Sequence, residues 1–162
     1  MRDSFQLVAR IPYPVTVPKF YAVASEVATM DYLHSFGLPI PNVYGYSPTS
    51  NNAAKTEYIF MEFVNGTNLS DVWLDLEEQE VVSVVGQLVD LEAKMMSVCF
   101  PAGGSLYYAQ DLERVARKAG IPLKDRRFCV GPDVRVPLWY GRRSHLNVDR
   151  GPGTPLSALY FR

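Results

Sequence analysis

Two side chains of opposite charge offer the first chemistry. Arg10 closes the alternating run Leu7-Val8-Ala9-Arg10-Ile11, and Glu26 follows later in Ser25-Glu26-Val27. A cation at the end of an alternating strand is most often a solvated residue. Glu26, however, comes three residues after Val23 and four before Met30, beside an apolar helical stripe. An acid beside a buried stripe wants a partner. Arg10, on a neighbouring strand, can supply one, because its fork of donors binds a carboxylate or a phosphate bidentately. On these two residues alone a structural ion pair is the commoner outcome. A second constellation is Tyr58-Ile59-Phe60-Met61-Glu62-Phe63-Val64-Asn65-Gly66, an apolar strand that ends in a glycine break before a capped helix. Such a crossing can present backbone C=O and N–H groups to an adenine edge, where a donor sits next to an acceptor. The plain alternative is a buried strand and a turn.

Other chemistries are excluded quickly. Cys99 and Cys129 are the only cysteines, and they form neither a disulfide framework nor a CxxC metal site. His34 and His145 are the only histidines, so a His-rich metal site is out. Asn65-Gly66-Thr67 and Asn68-Leu69-Ser70 match the glycosylation sequon but read as turn and helix-capping residues. Of the 162 residues, 48% are hydrophobic and 20% charged, with a net charge of −1. That is globular composition, and it argues against a nucleic-acid or membrane-surface binder held by long-range electrostatics. No apolar run approaches the roughly 20 residues of a membrane-spanning helix. Met1-Arg2-Asp3-Ser4 leads straight into a strand pattern with no targeting signal.

The elements that must position these residues follow from periodicity. A strand spans Phe5 to Ile11, and Pro12, Pro14 and Pro18 impose an extended connector. Val23, Val27, Met30 and Leu33 or His34 mark a helix from Lys19, which Gly37, Pro39 and Pro41 stop. A short strand at Asn42 to Tyr46 and a polar turn at Ser47 to Lys55 precede the strong strand Tyr58 to Val64. Beyond the Asn65-Gly66-Thr67 break come a short helix, about Leu69 to Leu76, capped by Thr67 or Asn68, and a long one, about Glu77 to Val98. Val81, Val84, Val85, Leu88, Leu91 and Met95 form the long helix's stripe, and Glu77, Glu78 and Glu80 suit its N-terminal dipole. Ser105 to Asp111 reads as an edge strand or turn, and Leu112 to Lys118 as helix-prone. After Ala119 the pattern decays among prolines and glycines. The order implies an α+β protein of two lobes joined by a short linker.

Taken in order, "LVARIPYP", "SEVATMDYLHSFGLPIPNVYGYS", "EYIFMEFVNGTNLSDVW", "FPAGGSLYY" and "CVGPDVRVPLWYGRR" resemble the fungal branch of the aminoglycoside phosphotransferase-like family, and within it the altered-inheritance-of-mitochondria type. The resemblance runs from about Phe5 to Gly151. It implies a partial protein-kinase-like fold: a small antiparallel-sheet nucleotide lobe with one helix and a hinge (1–66), an incomplete, mainly helical second lobe (67–152), and a divergent tail (153–162). It implies ATP- and magnesium-dependent transfer of a phosphoryl group to a small-molecule hydroxyl. Arg10 then takes the place of the phosphate-binding strand cation and Glu26 that of its helix partner. Met61 lines the back of the adenine pocket, the Glu62 carbonyl and Val64 amide face the adenine edge, and Trp73 packs in the second lobe.

The chain departs from that pattern in three ways. Only four residues precede Phe5, where two strands and a phosphate-covering loop belong. No H-x-D with a following Asn supplies a catalytic base, and no acid stands placed for magnesium. Ser144-His145-Leu146-Asn147-Val148-Asp149 reads H-x-N and is a loop decoy, while Asp111, Asp125 and Asp133 sit in no D-x-D or D-F-G. The expectation is therefore a fragment of a phosphotransferase that is inactive as it stands. The alternatives are a pseudokinase-like binding module, or an interaction domain docking through Phe128 to Tyr140. A cytoplasmic or mitochondrial location is expected, with no nucleic-acid partner. An unpaired edge on the first strand implies self-association.

Overall fold

The computed structural model describes residues 5–153 apart from Pro14 and Thr16. The leading Met1 to Ser4 and the divergent tail from residue 154 lie outside the described residues. The first half contains β1 (Leu7–Arg10), α1 (Lys19–Ser35), β2 (Val43–Ser47) and β3 (Tyr58–Glu62). These strands form an antiparallel sheet of order β1-β3-β2, so α1 is the crossover between its two outer strands. Next come α2 (Leu69–Val72), a 3-10 turn at Trp73–Asp75 and α3 (Glu78–Met96). The chain then builds β4 (Ser105–Tyr108), α4 (Ala109–Asp111) running into a π turn at Leu112–Ala116, β5 (Ile121–Pro122) and β6 (Phe128–Gly131). Two 3-10 turns, Val136–Leu138 and Gly141–His145, complete the described chain.

The second half differs from the sequence reading in one large respect. Where the pattern decays after Ala119, β5 and β6 join β4 in a second antiparallel sheet, order β4-β6-β5. β5 is two residues long, too short for a period to show. β6, Phe-Cys-Val-Gly, is buried at every position, so it reads as a plain apolar run without alternation. Phe128 is fully buried, which removes the start of the Phe128 to Tyr140 segment from any docking surface. Gly153, placed with the tail by sequence, donates its N–H to the Gly103 carbonyl at 2.9 Å.

α1 is covered on two sides. Val23 and Val27 pack on Ile59 of β3. Ala24 packs with Tyr107, Leu112 and Cys129, and Ala28 and Tyr32 with Leu106, Phe128 and Val130, all from the second half. A helix enclosed by two sheets carries apolar residues round most of its girth, and its small residues let one sheet approach closely. Ala24 and Ala28 have that role here. Gly131 shows the same closeness: a Cβ there would lie 2.6 Å from Leu112 Cδ1. Tyr107 is buried because its hydroxyl has a partner, donating to the Pro132 carbonyl at 2.6 Å.

Among the described residues, β1 is paired on one side only. All four of its residues are exposed, among them Leu7 and Val8, with Phe5 and Ile11 at its flanks. A flat apolar edge of this kind templates further strand pairing. The purified chain is expected to elute above monomer size on gel filtration, and Val8→Lys to shift it toward monomer. A clean monomer for the unmodified chain at about 100 μM would sink this expectation.

Candidate functional site

The first sheet brings Arg10 and Glu26 together. Arg10 ends β1 opposite Ile59, and Glu26 stands on α1 one residue before the Val27 that covers Ile59. Arg10 and Ile59 share the helix-facing side of the sheet, so the guanidinium extends under α1. Its Nη1 donates to Glu26 Oε2 in an ion pair whose side chains stay 49% and 32% exposed. Half-burial pushes the Glu26 carboxyl above its ordinary 4.5, and the charge and hydrogen bond of Arg10 pull it back. Glu26 is thus easier to protonate in the folded chain than in the unfolded one. It favours folding fully below the ordinary value, and that contribution is lost as pH rises through the raised one. Removing Arg10 takes away both opposing effects. Urea unfolding of Arg10→Ala between pH 4 and 7 is expected to lose stability over a wider range than the unmodified chain, and Glu26→Gln to flatten this component. Identical pH profiles for all three would refute it.

β3 and the chain after it place the other residues. Met61 opposes Val8 and lies against the Val23, Val27 and Ile59 cluster, half-buried. β3 stops at Glu62 rather than Val64. Glu62 donates its N–H to the Asn42 carbonyl at 2.8 Å. Its carboxylate Oε2 accepts from the Asn42 backbone N–H at 3.1 Å and from Nδ2 at 2.7 Å. These bonds hold the Glu62 carboxyl below its ordinary value. Val64 projects past the strand, 63% exposed, with no backbone hydrogen bond on its N–H among the described residues. Ile59, opposite Arg10, is three residues from Glu62, a separation of about 10 Å along a strand. Asn42 was not singled out by sequence, where it reads only as a strand start. Trp73 lies in the 3-10 turn after α2, 39% exposed. Asn68, not Thr67, caps α2, accepting from the Ser70 N–H at 3.1 Å.

Two tyrosine–carboxylate links lock the halves of the molecule together. Tyr46 of β2 donates to Asp111 Oδ2 at 2.7 Å, and Tyr108 of β4 donates to Asp31 Oδ2 of α1 at 2.8 Å. The two rings stack 6.1 Å apart. Burial and the carboxylate partner raise both phenols above their ordinary value. Asp111 is 2% exposed, and Arg114 approaches it at 3.6 Å. These partners are 65 and 77 residues apart, and no local signal announces them. Asp125 and Asp133 are instead held locally, each accepting from the backbone N–H and Nε of the arginine two residues on. His145, in the H-x-N decoy, sits in an exposed 3-10 turn.

Two clefts are open. One of about 200 Å³ is lined by Asp31, His34, Asn42, Tyr46 and Tyr108, and one of about 280 Å³ by Tyr46, Thr49, Gln110, Asp111 and Arg114. Neither reaches Arg10 or Glu26. No three carboxylate, histidine or cysteine groups come together to hold a metal ion among the described residues. Nor is any helix there long and apolar enough to cross a membrane.

This is a mixed α and β chain, built on a crossover helix that an ion pair ties to an edge strand. It is similar to fungal proteins. A subtelomeric hrmA-associated cluster protein of Aspergillus fumigatus is 43% identical over 163 residues, covering 99% of this chain and 31% of that protein. Altered inheritance of mitochondria protein 9, mitochondrial, is 33% identical in Kluyveromyces lactis, covering 88% of this chain and 25% of that protein. The protein of the same name in Lodderomyces elongisporus is 31% identical, covering 84% and 24%. The chain spans between about a quarter and a third of the length of these relatives. No protein-family profile and no solved structure matches it.

Proposed function

We propose that this chain is the nucleotide-anchoring part of an ATP-dependent phosphotransferase of the aminoglycoside phosphotransferase-like, protein-kinase-like class, and that it transfers no phosphate by itself. The observation that carries the reading is the Arg10–Glu26 ion pair from edge strand to crossover helix. An arginine held by a carboxylate, yet half exposed, is positioned to take a phosphate oxygen with its remaining donors. The exposed Val64 N–H and the Glu62 backbone lie one nucleoside length further along, on the strand beside it. These groups would suit ATP: Arg10, oriented by Glu26, would hold a phosphate, with Met61 behind the base and Glu62 and Val64 at its edge. Among the described residues no group of three acid, histidine or cysteine side chains is placed to hold magnesium. No H-x-D motif places a base for the small-molecule hydroxyl that would accept the phosphate. Catalysis of phosphoryl transfer is positioning and charge stabilisation, and this chain supplies only the first part.

A non-catalytic, pseudokinase-like role rests on the same pair, because the pair forms within these residues alone. The Kluyveromyces lactis and Lodderomyces elongisporus relatives are named mitochondrial, which supports a mitochondrial location for such a protein. Titration with ATP, with and without magnesium, followed by thermal shift tests the binding reading. A rise in melting temperature at millimolar ATP, with no phosphate released or transferred, is the expected result. No shift at that concentration refutes it.

A further inference from the structure

Among the described residues, nothing buries the apolar face of α3, and a charge stands in the middle of it. The helix is 19 residues long, about 28 Å. Its start is well specified: Glu77 and Glu80 form a reciprocal capping box, with Glu80 Oε2 accepting from the Glu77 N–H at 2.9 Å. Yet none of its side chains is buried. Val82, Val85, Leu88, Val89, Met95 and Met96 are all exposed, on one broad side of the helix. In water an isolated helix of this length is marginal, and it gains most of its stability by packing its apolar face.

Glu92 decides what can pack there. Residues three and four apart are neighbours on a helix, so Glu92 is ringed by Leu88, Val89, Met95 and Met96. Lys94, two residues on, points away from it. No ion pair reaches Glu92 among the described residues. From Asp71 to Ala93 the acids are Asp71, Asp75, Glu77, Glu78, Glu80, Asp90 and Glu92, with no lysine or arginine. An apolar cover alone would strip water from the Glu92 carboxylate and leave it unpaired, which is costly. A second copy of α3 would bring the same acids against these. A cover that fits both features has an apolar stripe interrupted by a cation.

We infer that the Val85–Met96 face of α3 is a docking seat for an amphipathic helix that carries an arginine or lysine opposite Glu92. Glu92 sets the register and the choice of partner, and the surrounding valines, leucine and methionines supply the contact area. The Aspergillus fumigatus relative, with this chain matching 31% of it, has the remaining length to carry such a helix in its own polypeptide. The inference does not rest on nucleotide binding.

Fluorescence anisotropy with two 18-residue helical peptides tests it. Each has leucines at i, i+3, i+4 spacing; one has arginine and the other glutamate at the centre of the leucine face. The full chain is expected to bind the arginine peptide at least roughly tenfold more tightly. Glu92→Arg is expected to reverse the preference, and Leu88→Glu to weaken binding of both. Glu92 is on the surface, so far-UV circular dichroism of Glu92→Arg should match the unmodified chain. A preference that Glu92→Arg leaves unchanged overturns the inference, as does binding indifferent to Leu88→Glu. Sedimentation showing a dimer that Leu88→Glu dissolves, with no binding of either peptide, would make a second copy the occupant and overturn it equally.

Discussion

Replacing Arg10 with alanine is expected to remove most of the thermal stabilisation that ATP confers, while leaving the melting temperature without nucleotide nearly unchanged. The two effects separate because the ion pair is half exposed. An exposed pair contributes about 0–1 kcal/mol to stability, so its loss is small in the unliganded chain. A charged hydrogen bond to phosphate is worth about 1.5–3 kcal/mol, or roughly ten- to a hundredfold in Kd. Arg10→Lys should fall between, since an ammonium keeps the charge and loses the fork that serves carboxylate and phosphate together. Glu26→Gln should weaken binding less than Arg10→Ala, because it loosens the guanidinium without removing it. Isothermal titration with ATP on the four proteins makes the comparison. Equal affinity for the unmodified chain and Arg10→Ala would leave the pair a purely structural contact and end the nucleotide reading.

The second large effect lies in the core. Phe128→Ala is expected to cost about 3–5 kcal/mol, the usual range for truncating a fully buried phenylalanine. Its ring is fully buried. It stacks on Tyr108 at 5.1 Å and meets the Tyr32 ring edge-on at 5.0 Å. Tyr32 belongs to α1 and Tyr108 to β4, so the cavity would open where the second sheet sits on the crossover helix. Total stabilities run about 5–15 kcal/mol, and the loss is large on that scale. Chemical denaturation and near-UV circular dichroism would show it, with tyrosine signals falling first. A change under about 1 kcal/mol would mean that the second sheet is not anchored through this ring.

The tightest chemistry was legible because it lies in local patterns. Arg10 at the end of an alternating strand and Glu26 beside an apolar stripe each carried a mark, and pairing them needed only one strand and the next helix. Asp125 and Asp133 read in sequence only as helix-end or loop residues, and the structure holds each by the arginine two residues on. The links that close the molecule carried no such mark. Tyr46 to Asp111 and Tyr108 to Asp31 join residues far apart in the chain, and an aspartate or tyrosine by itself does not name its partner. Asn42 was missed because its bond to Glu62 depends on β2 lying beside β3.

Local sequence determined the elements of the first half and the bounds of α3: alternation, helical period and proline or glycine stops act over a few residues, and backbone sterics enforce them there. Tertiary structure alone decided that the chain after Ala119 folds back as β5 and β6 onto α1. Those strands are too short, or too uniformly buried, to display a period, and they exist because β4 and the far side of α1 offer them a surface. It also decided that the α3 stripe, visible in sequence as a core face, is nowhere fully buried among the described residues, with Val85, Leu88 and Met95 exposed.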